Sequence, residues 1–284
     1  AISDALTPNF EVSGGSAANT LAGIASLGGR AAYIGKVRND ALGETFRKDI
    51  RKIGVDYRTR AATNGPSTAR CLVIVTPDAQ RTMSTYLGVS ACLSSEDVDV
   101  DAIRASQITY LEGYLFDPPE AKKAFFFAAE AAHHAERQVA LSLSDSFCVD
   151  RHRAEFLDLI QGHVDILFAN EEEIKALYET ESFEDATSAV RSDCQIAVLT
   201  RGARGACIVS GSDTVDIEPT LLSEVLDTTG AGVLFASGFL FGITSGRSLE
   251  DSGKIGALAA GEIIGHFGAR PEVSLAQLLS DNGL

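Results

Sequence analysis

The run Asp227-Thr228-Thr229-Gly230-Ala231-Gly232-Val233 passes straight into an apolar stretch at 234–241, and the reading of the whole chain turns on it. A glycine-rich turn there opens a helix. The first N–H groups of a helix lack intrahelical partners, and the aligned peptide dipoles leave partial positive charge at that end. Small side chains let those donors crowd around an anion, so Gly230, Ala231 and Gly232 read as an anion hole for a phosphoryl group. A tight strand-to-helix turn uses the same residues, and the remaining motifs have to separate the two accounts.

At 284 residues, with 45% hydrophobic and 22% charged, the chain has the composition of a soluble globular enzyme of one large α/β domain. Its net charge of −15 excludes a nucleic-acid surface, which needs clustered Lys and Arg. No apolar run approaches the length of a membrane span, and no basic-then-apolar leader opens the sequence. Five cysteines (71, 92, 148, 194 and 207) show no CxxC spacing and read as packing residues in a reducing, cytoplasmic compartment. The chain starts at Ala1 and its one methionine is Met83, so a natural N-terminal segment is expected to precede it.

Short β-branched runs alternate with helical patterns, the mark of βα units around a mainly parallel sheet. Strands are expected at 31–37, 107–111, 139–143, 164–169, 195–200 and 206–209. Helices are expected at 16–27, 41–53, 118–134, 150–160, 171–178, 230–243, 249–264 and 275–279. Residues 69–75 and 81–87 break the alternation, joined by the turn-like Thr76-Pro77-Asp78-Ala79. They predict a hairpin over 66–88 standing off the main sheet, either a lid over a ligand or an ordinary edge hairpin.

Three further patterns accompany the anion-hole turn. Gly14-Gly15-Ser16-Ala17-Ala18-Asn19-Thr20 starts a helix with small residues, and Asn19 offers both donor and acceptor to hydroxyls. Asn170-Glu171-Glu172-Glu173 follows a strand, at the carboxyl edge where open α/β sheets bind ligands. Asn170 and Glu173 can face one side there and hold Mg²⁺ or its waters, although an acidic first turn also suits the helix dipole. Thr200-Arg201-Gly202-Ala203-Arg204-Gly205 after the next strand admits nucleotide phosphates or ribose; a hairpin turn would look alike. A GxxxxGK[ST] P-loop is absent, and GxGxxG fails at Phe235, against a dinucleotide-dependent oxidoreductase.

In this order the motifs resemble the PfkB/ribokinase family of carbohydrate and nucleoside kinases, over nearly the whole chain. The stretches are GGSAANTLAGIASLGG, IGKVRNDALGETF, FANEEE, LTRGARGA and DTTGAGVLFASGFLFG. Leu141-Ser142-Leu143-Ser144-Asp145-Ser146-Phe147 is similar to the adenosine-kinase-like branch. The resemblance implies a ribokinase-like α/β fold with a small β lid, and transfer of the γ-phosphoryl of ATP, with Mg²⁺, to a hydroxymethyl oxygen of a sugar or nucleoside. It places Gly14, Gly15 and Asn19 at the acceptor and Asp40 with Gly43 in a further family pattern, with Arg38 where many members carry a small residue. Asn170 and Glu173 fall at Mg²⁺ and phosphate; Thr200, Gly202 and Gly205 line the ATP site. Asp227 and Thr229 match positions that in many members hold a monovalent cation (K⁺), and Arg70 and Tyr86 lie on the lid. Family lids cover the site alone or pair across a dimer, so a monomer or homodimer is expected.

Two departures stand out. The family residue after Gly-Ala-Gly is an aspartate, the general base that takes the acceptor proton; here it is Val233. Positioned acid–base groups contribute about 10²- to 10⁴-fold, so turnover is expected to be crippled while the backbone donors for ATP remain. A non-catalytic nucleotide or nucleoside sensor is the rival expectation. Family members also open with a strand ending in Gly-Asn-x-x-Val-Asp, and nothing before Ser13 matches it. Either that segment precedes the residues given or acceptor recognition is incomplete, and the residues as they stand, without that central strand, are expected to be poorly stable.

Overall fold

The computed structural model describes residues 11–76 and 81–284. The chain runs through α1 (Ser16–Ser26), β1 (Ala32–Tyr33), α2 (Ala41–Lys52) and β2 (Asp56–Tyr57), then the hairpin strands β3 (Arg70–Val75) and β4 (Arg81–Tyr86). Next come α3 (Val100–Ala105), β5 (Ile108–Glu112), α4 (Pro119–His134), β6 (Gln138–Ser142), α5 (Ser146–His163), β7 (Ile166–Asn170), α6 (Glu171–Leu177), α7 (Phe183–Val190) and β8 (Ile196–Thr200). It ends with β9 (Ala206–Ser210), β10 (Asp213–Ile217), α8 (Ala231–Thr244), α9 (Leu249–Ile263) and α10 (Leu275–Asp281).

The main sheet is six-stranded, in the order β10-β9-β8-β7-β6-β5. β5 to β8 are parallel neighbours, whereas β9 and β10 turn back antiparallel. Both faces of the parallel strands are buried, so their sequences are almost continuously apolar. Leu141, Leu167, Leu199 and Val209 pack with Phe125 of α4, Phe156 of α5, Ile174 of α6 and Val190 of α7. The intervening Ala140, Ile166, Phe168, Val198 and Ile208 pack with Phe235, Phe239 and Leu240 of α8. The period of two along each strand thus sorts residues between two helical layers.

Helix α8 is apolar around most of its circumference because it lies between the sheet, α1 and α9. Glycines make these crossings close. A Cβ on Gly238 would lie 2.5 Å from Ile255 O, and one on Gly23 would lie 2.4 Å from Ser237 Oγ. The Ser237 hydroxyl is 2.7 Å from Thr20 O and 2.9 Å from Val233 O, tying the start of α8 to α1. The final segment closes on the same helix: Leu275 N donates to Ser26 Oγ at 3.0 Å, and Ser26 Oγ donates to Val273 O at 3.2 Å.

The hairpin forms as expected, as a separate two-stranded antiparallel sheet; residues 77–79 of its turn lie outside the described residues. The strand expected at 31–37 is confined to Ala32–Tyr33, paired in parallel with Asp56–Tyr57. The helix expected at 150–160 begins earlier, at Ser146, because Asp145 caps it by accepting from Phe147 N at 3.0 Å. Its non-helical residue, His152 (φ −127°), kinks the helix two residues inside the expected part. Unexpected elements are α3, α7, β2 and β10. The last alternates polar and apolar residues at the sheet edge and carries no long β-branched run.

Candidate functional site

The glycine-rich turn is held from beneath by a buried carboxylate. Asp227, 2% exposed, accepts from Thr229 N at 2.8 Å and from Gly268 N at 3.3 Å. Gly230 sits at the N-cap of α8 in the left-handed region (φ 87°), and a Cβ there would press against Ala269 at 3.0 Å. The Ala231 N–H donates to Thr228 O at 3.3 Å, so this donor is shared with the turn. Those of Gly232 and Val233 fall in the first helical turn, beyond the reach of any preceding helical carbonyl. Gly232 is exposed, with open space where its Cβ would be. Among the described residues, Thr229 Oγ1 is buried without a hydrogen-bond partner, which fits an oxygen ligand waiting for a cation.

Helix α1 starts beside this turn. Gly15 forms its N-cap with φ 107°, and its carbonyl accepts from Asn19 N at 2.8 Å. Asn19 is 6% exposed, and its Oδ1 accepts from Arg270 Nε at 3.2 Å. Gly14 is exposed one residue before the cap. The Ser237–Thr20 link holds α1 against α8, one residue beyond Asn19.

Asn170 and Thr200 are register partners at the carboxyl ends of β7 and β8. Asn170 and Glu173 form a capping box: Glu173 N donates to Asn170 Oδ1 at 2.8 Å, and Asn170 N donates to Glu173 Oε2 at 2.9 Å. Asn170 Nδ2 adds a 2.6 Å bond to Glu173 Oε1. Burial pushes the Glu173 carboxyl up to about 7 against the Asn170 backbone bond, with Glu112 and Asp145 adding like-charge repulsion. Three acidic groups from neighbouring strand ends therefore feel one another, an environment that suits a divalent cation. Among the described residues no three acidic, His or Cys side chains converge as direct metal ligands, so such an ion would keep its waters and nucleotide oxygens.

Thr200 leads into the short turn Gly202–Arg204, with Gly202 (φ 58°) and Gly205 (φ 77°) both left-handed. A Cβ on Gly205 would collide with Ile217 O, which makes glycine obligatory there. Arg201 Nε donates to Glu171 Oε2 at 3.3 Å, and Arg204 binds the same oxygen. The Arg201 guanidinium also lies 4.1 Å from the Phe183 ring centroid. Both arginines are thus tied to α6, and Arg201 to α7 as well.

Asp40 caps α2 and spends both carboxylate oxygens on its neighbours. Oδ1 accepts from Gly43 N at 2.9 Å and Thr68 Oγ1 at 2.6 Å, and Oδ2 accepts from Thr68 N at 2.9 Å. Desolvation opposes the charge, but these bonds outweigh it and hold the Asp40 carboxyl below its usual range. Gly43 meets Arg38 O where a Cβ would be, and Arg38 N donates to Thr68 Oγ1 at 3.0 Å. Arg70 and Tyr86 are exposed cross-strand partners at the base of the hairpin, the guanidinium 5.6 Å from the ring centroid. Their described contacts join them to each other, not to α1 or the glycine turn. A cavity of about 600 Å³ is lined by Ser13, Asp49, Leu226 and residues 266–272, of which Gly268 and Ala269 touch the glycine turn and Arg270 touches Asn19.

The pfkB family carbohydrate kinase sequence profile matches residues 9–275. The chain belongs to the pfkB family. Its fold is the ribokinase-like α/β arrangement. An adenosine kinase structure from Sinorhizobium meliloti superposes with a TM-score of 0.96 at 51% identity, covering 99% of this chain and 86% of that one. A probable sugar kinase from Rhizobium etli gives 0.97 at 49% identity, with the same coverages. An ATP-dependent ribose-1-phosphate kinase from Halopiger xanaduensis is 31% identical over 253 residues, 87% of this chain and 80% of its own.

Motif reading of this pfkB family chain gave no role to three further side chains. Glu112 ends β5 at 7% exposure, accepting from Tyr110 OH at 3.3 Å and from Ser144 Oγ. Burial pushes its carboxyl up to about 7, while the hydroxyls of Ser144, Ser16, Tyr110 and Ser142 pull the other way. Ser144 holds its position with φ 67°, rare for a residue with a Cβ. Phe147, three residues on, is 72% exposed at the start of α5. Arg270 is the third. Signals existed for the first two, a lone acidic residue closing an apolar strand and a serine-rich run behind the next; Arg270 had none.

Proposed function

We propose that this chain is the scaffold of an ATP-dependent phosphotransferase acting on the hydroxymethyl group of a nucleoside or sugar, held at low turnover by Val233. The observation that carries this reading is the left-handed Gly230 opening α8 beside Asn19, with the two helices locked by Ser237 and Thr20. An adenosine-like nucleoside is the first acceptor and a ribose-like sugar the second. The exposed Phe147 ring, close in sequence to the Glu112 partner Ser144, offers a flat apolar face to a base.

Gly14, Gly15, Asn19 and Glu112 orient the acceptor hydroxyls, and Thr200, Gly202 and Gly205 line the ATP. The Gly232 and Val233 amides stabilise charge on the phosphoryl group as it passes in line from ATP to the acceptor oxygen. Asn170 and Glu173 would hold Mg²⁺ through water, where it would supply charge neutralisation to the phosphates. Asp227 and Thr229 would hold a monovalent cation such as K⁺ below the turn. The hairpin closes as a lid carrying Arg70 and Tyr86, with Asp40 anchoring its stalk through Thr68, and so excludes water. The chain works in the cytoplasm as a monomer or homodimer.

Val233 can accept no proton and packs against the apolar cluster of Leu27, Leu234 and Ile263. A nucleotide- or nucleoside-binding sensor is the second reading, and Val233 is what favours it. Calorimetry with ATP and adenosine, paired with turnover of the chain and of Val233→Asp, separates the two. The kinase reading expects Val233→Asp to raise turnover by about 10²- to 10⁴-fold. Tight binding with no gain in Val233→Asp would establish the sensor instead.

A further inference from the structure

Arg270 lies on the segment that also supplies Gly268 N to Asp227, so one strap contacts both the glycine turn and α1. Only its Nε has a described partner on α1, the Oδ1 of Asn19. Its Nη2 is buried with no hydrogen-bond partner among the described residues. Burial pushes the guanidinium down from its ordinary value, with Asp49 and Tyr33 opposing this. A buried cationic donor left unpaired is costly, and any role filled by charge alone would be met more cheaply at the surface.

The geometry has a definite chemical consequence for Asn19. An amide presents its oxygen on one side and its NH₂ on the other. With Oδ1 accepting from Arg270 Nε, Nδ2 is the group turned to the remaining direction, so Asn19 offers donors to whatever binds beside it. Glu112, when charged, offers only acceptors. A hydroxyl accepting from the amide and donating to the carboxylate satisfies both.

We propose that Arg270 is a positioning residue that fixes the orientation of the Asn19 amide, making Asn19 a hydrogen-bond donor to the acceptor hydroxyl. This rests on the acceptor side of the function proposed above. The working atom is Nε; Nη1 and Nη2 are dispensable.

Glutamine supplies the test, because its Nε2 occupies the same place along the side chain as arginine Nε. Arg270→Met removes the donor and Arg270→Gln keeps it without the charge. Adenosine affinity, measured by calorimetry on the chain with Val233, is expected to fall about tenfold or more in Arg270→Met and to stay within about threefold in Arg270→Gln. ATP affinity should hold within about twofold in both. In an Asn19→Ala background, Arg270→Met should add nothing further, since the two residues act as one. Equal losses in Arg270→Met and Arg270→Gln, parallel loss of ATP affinity, or additivity with Asn19→Ala would overturn the proposal.

A second readout does not need the acceptor. The Asn19 side-chain amide resonances, assigned by their absence in Asn19→Ala, should keep their positions in Arg270→Gln and move in Arg270→Met. Unchanged positions in Arg270→Met would sink the positioning role. If the chain binds neither adenosine nor ribose while the resonances behave as expected, the acceptor reading fails and the positioning role stands.

Discussion

At single residues, backbone demands were easier to see in the sequence than isolated charges. Gly230, Gly202 and Gly205 are left-handed, a conformation that only glycine enters cheaply, so their spacing carried information without any partner in view. Glu112 is one carboxyl at the end of one strand, and nothing nearby in sequence shows that hydroxyls from two distant segments, Ser16 and Ser142 with Ser144, converge on it. Its energetics are testable. A carboxyl raised to about 7 in the folded chain, from an ordinary 4.5, binds its proton more tightly when folded. The Glu112 contribution to stability is therefore full below about pH 4.5, is lost as pH rises towards 7, and is flat above. The Glu112→Gln variant should lose roughly 1–3 kcal/mol less than the parent between pH 5 and pH 8, read from urea melts. Glu173 falls in the same window, so the parent should keep part of its slope in Glu112→Gln.

Among elements, the parallel strands were legible because burial on both faces leaves continuous apolar runs, and the helices because of their caps. The failures share a cause. Ala32–Tyr33 is short where, among the described residues, Asp56–Tyr57 alone pairs with it, and pairing between distant segments leaves no local trace. The crossing of α1 and α8 is the contact on which the site depends, and it tolerates no extra volume at Gly23. Gly23→Val should cost roughly 1–3 kcal/mol in chemical denaturation, and adenosine and ATP affinities should fall together. Gly230→Ala strains a φ of 87° and crowds Ala269, with a cost of about 1–2 kcal/mol. It should weaken ATP more than adenosine, as separate calorimetric titrations would show.

Across the whole molecule, the order of motifs revealed the fold, but not which ends of the chain meet. The net charge of −15 opposes the approach of ATP, itself a polyanion, over distances longer than the site. Raising salt from low to physiological strength should therefore speed nucleotide association several-fold with little change in dissociation, as stopped-flow fluorescence would reveal. A slower association would mean that the local field of the glycine turn dominates at long range. Arg270 and Asn19, which bond across the site, are 251 residues apart, and Leu275 closes on Ser26 across 249. On the ribosome, α1 is therefore made 251 residues before the Arg270 side chain that bonds to it. Until that later stretch has been synthesised and has folded back, the growing polypeptide cannot hold Asn19 as the finished molecule does, a delay set by the wide sequence separation of the contact.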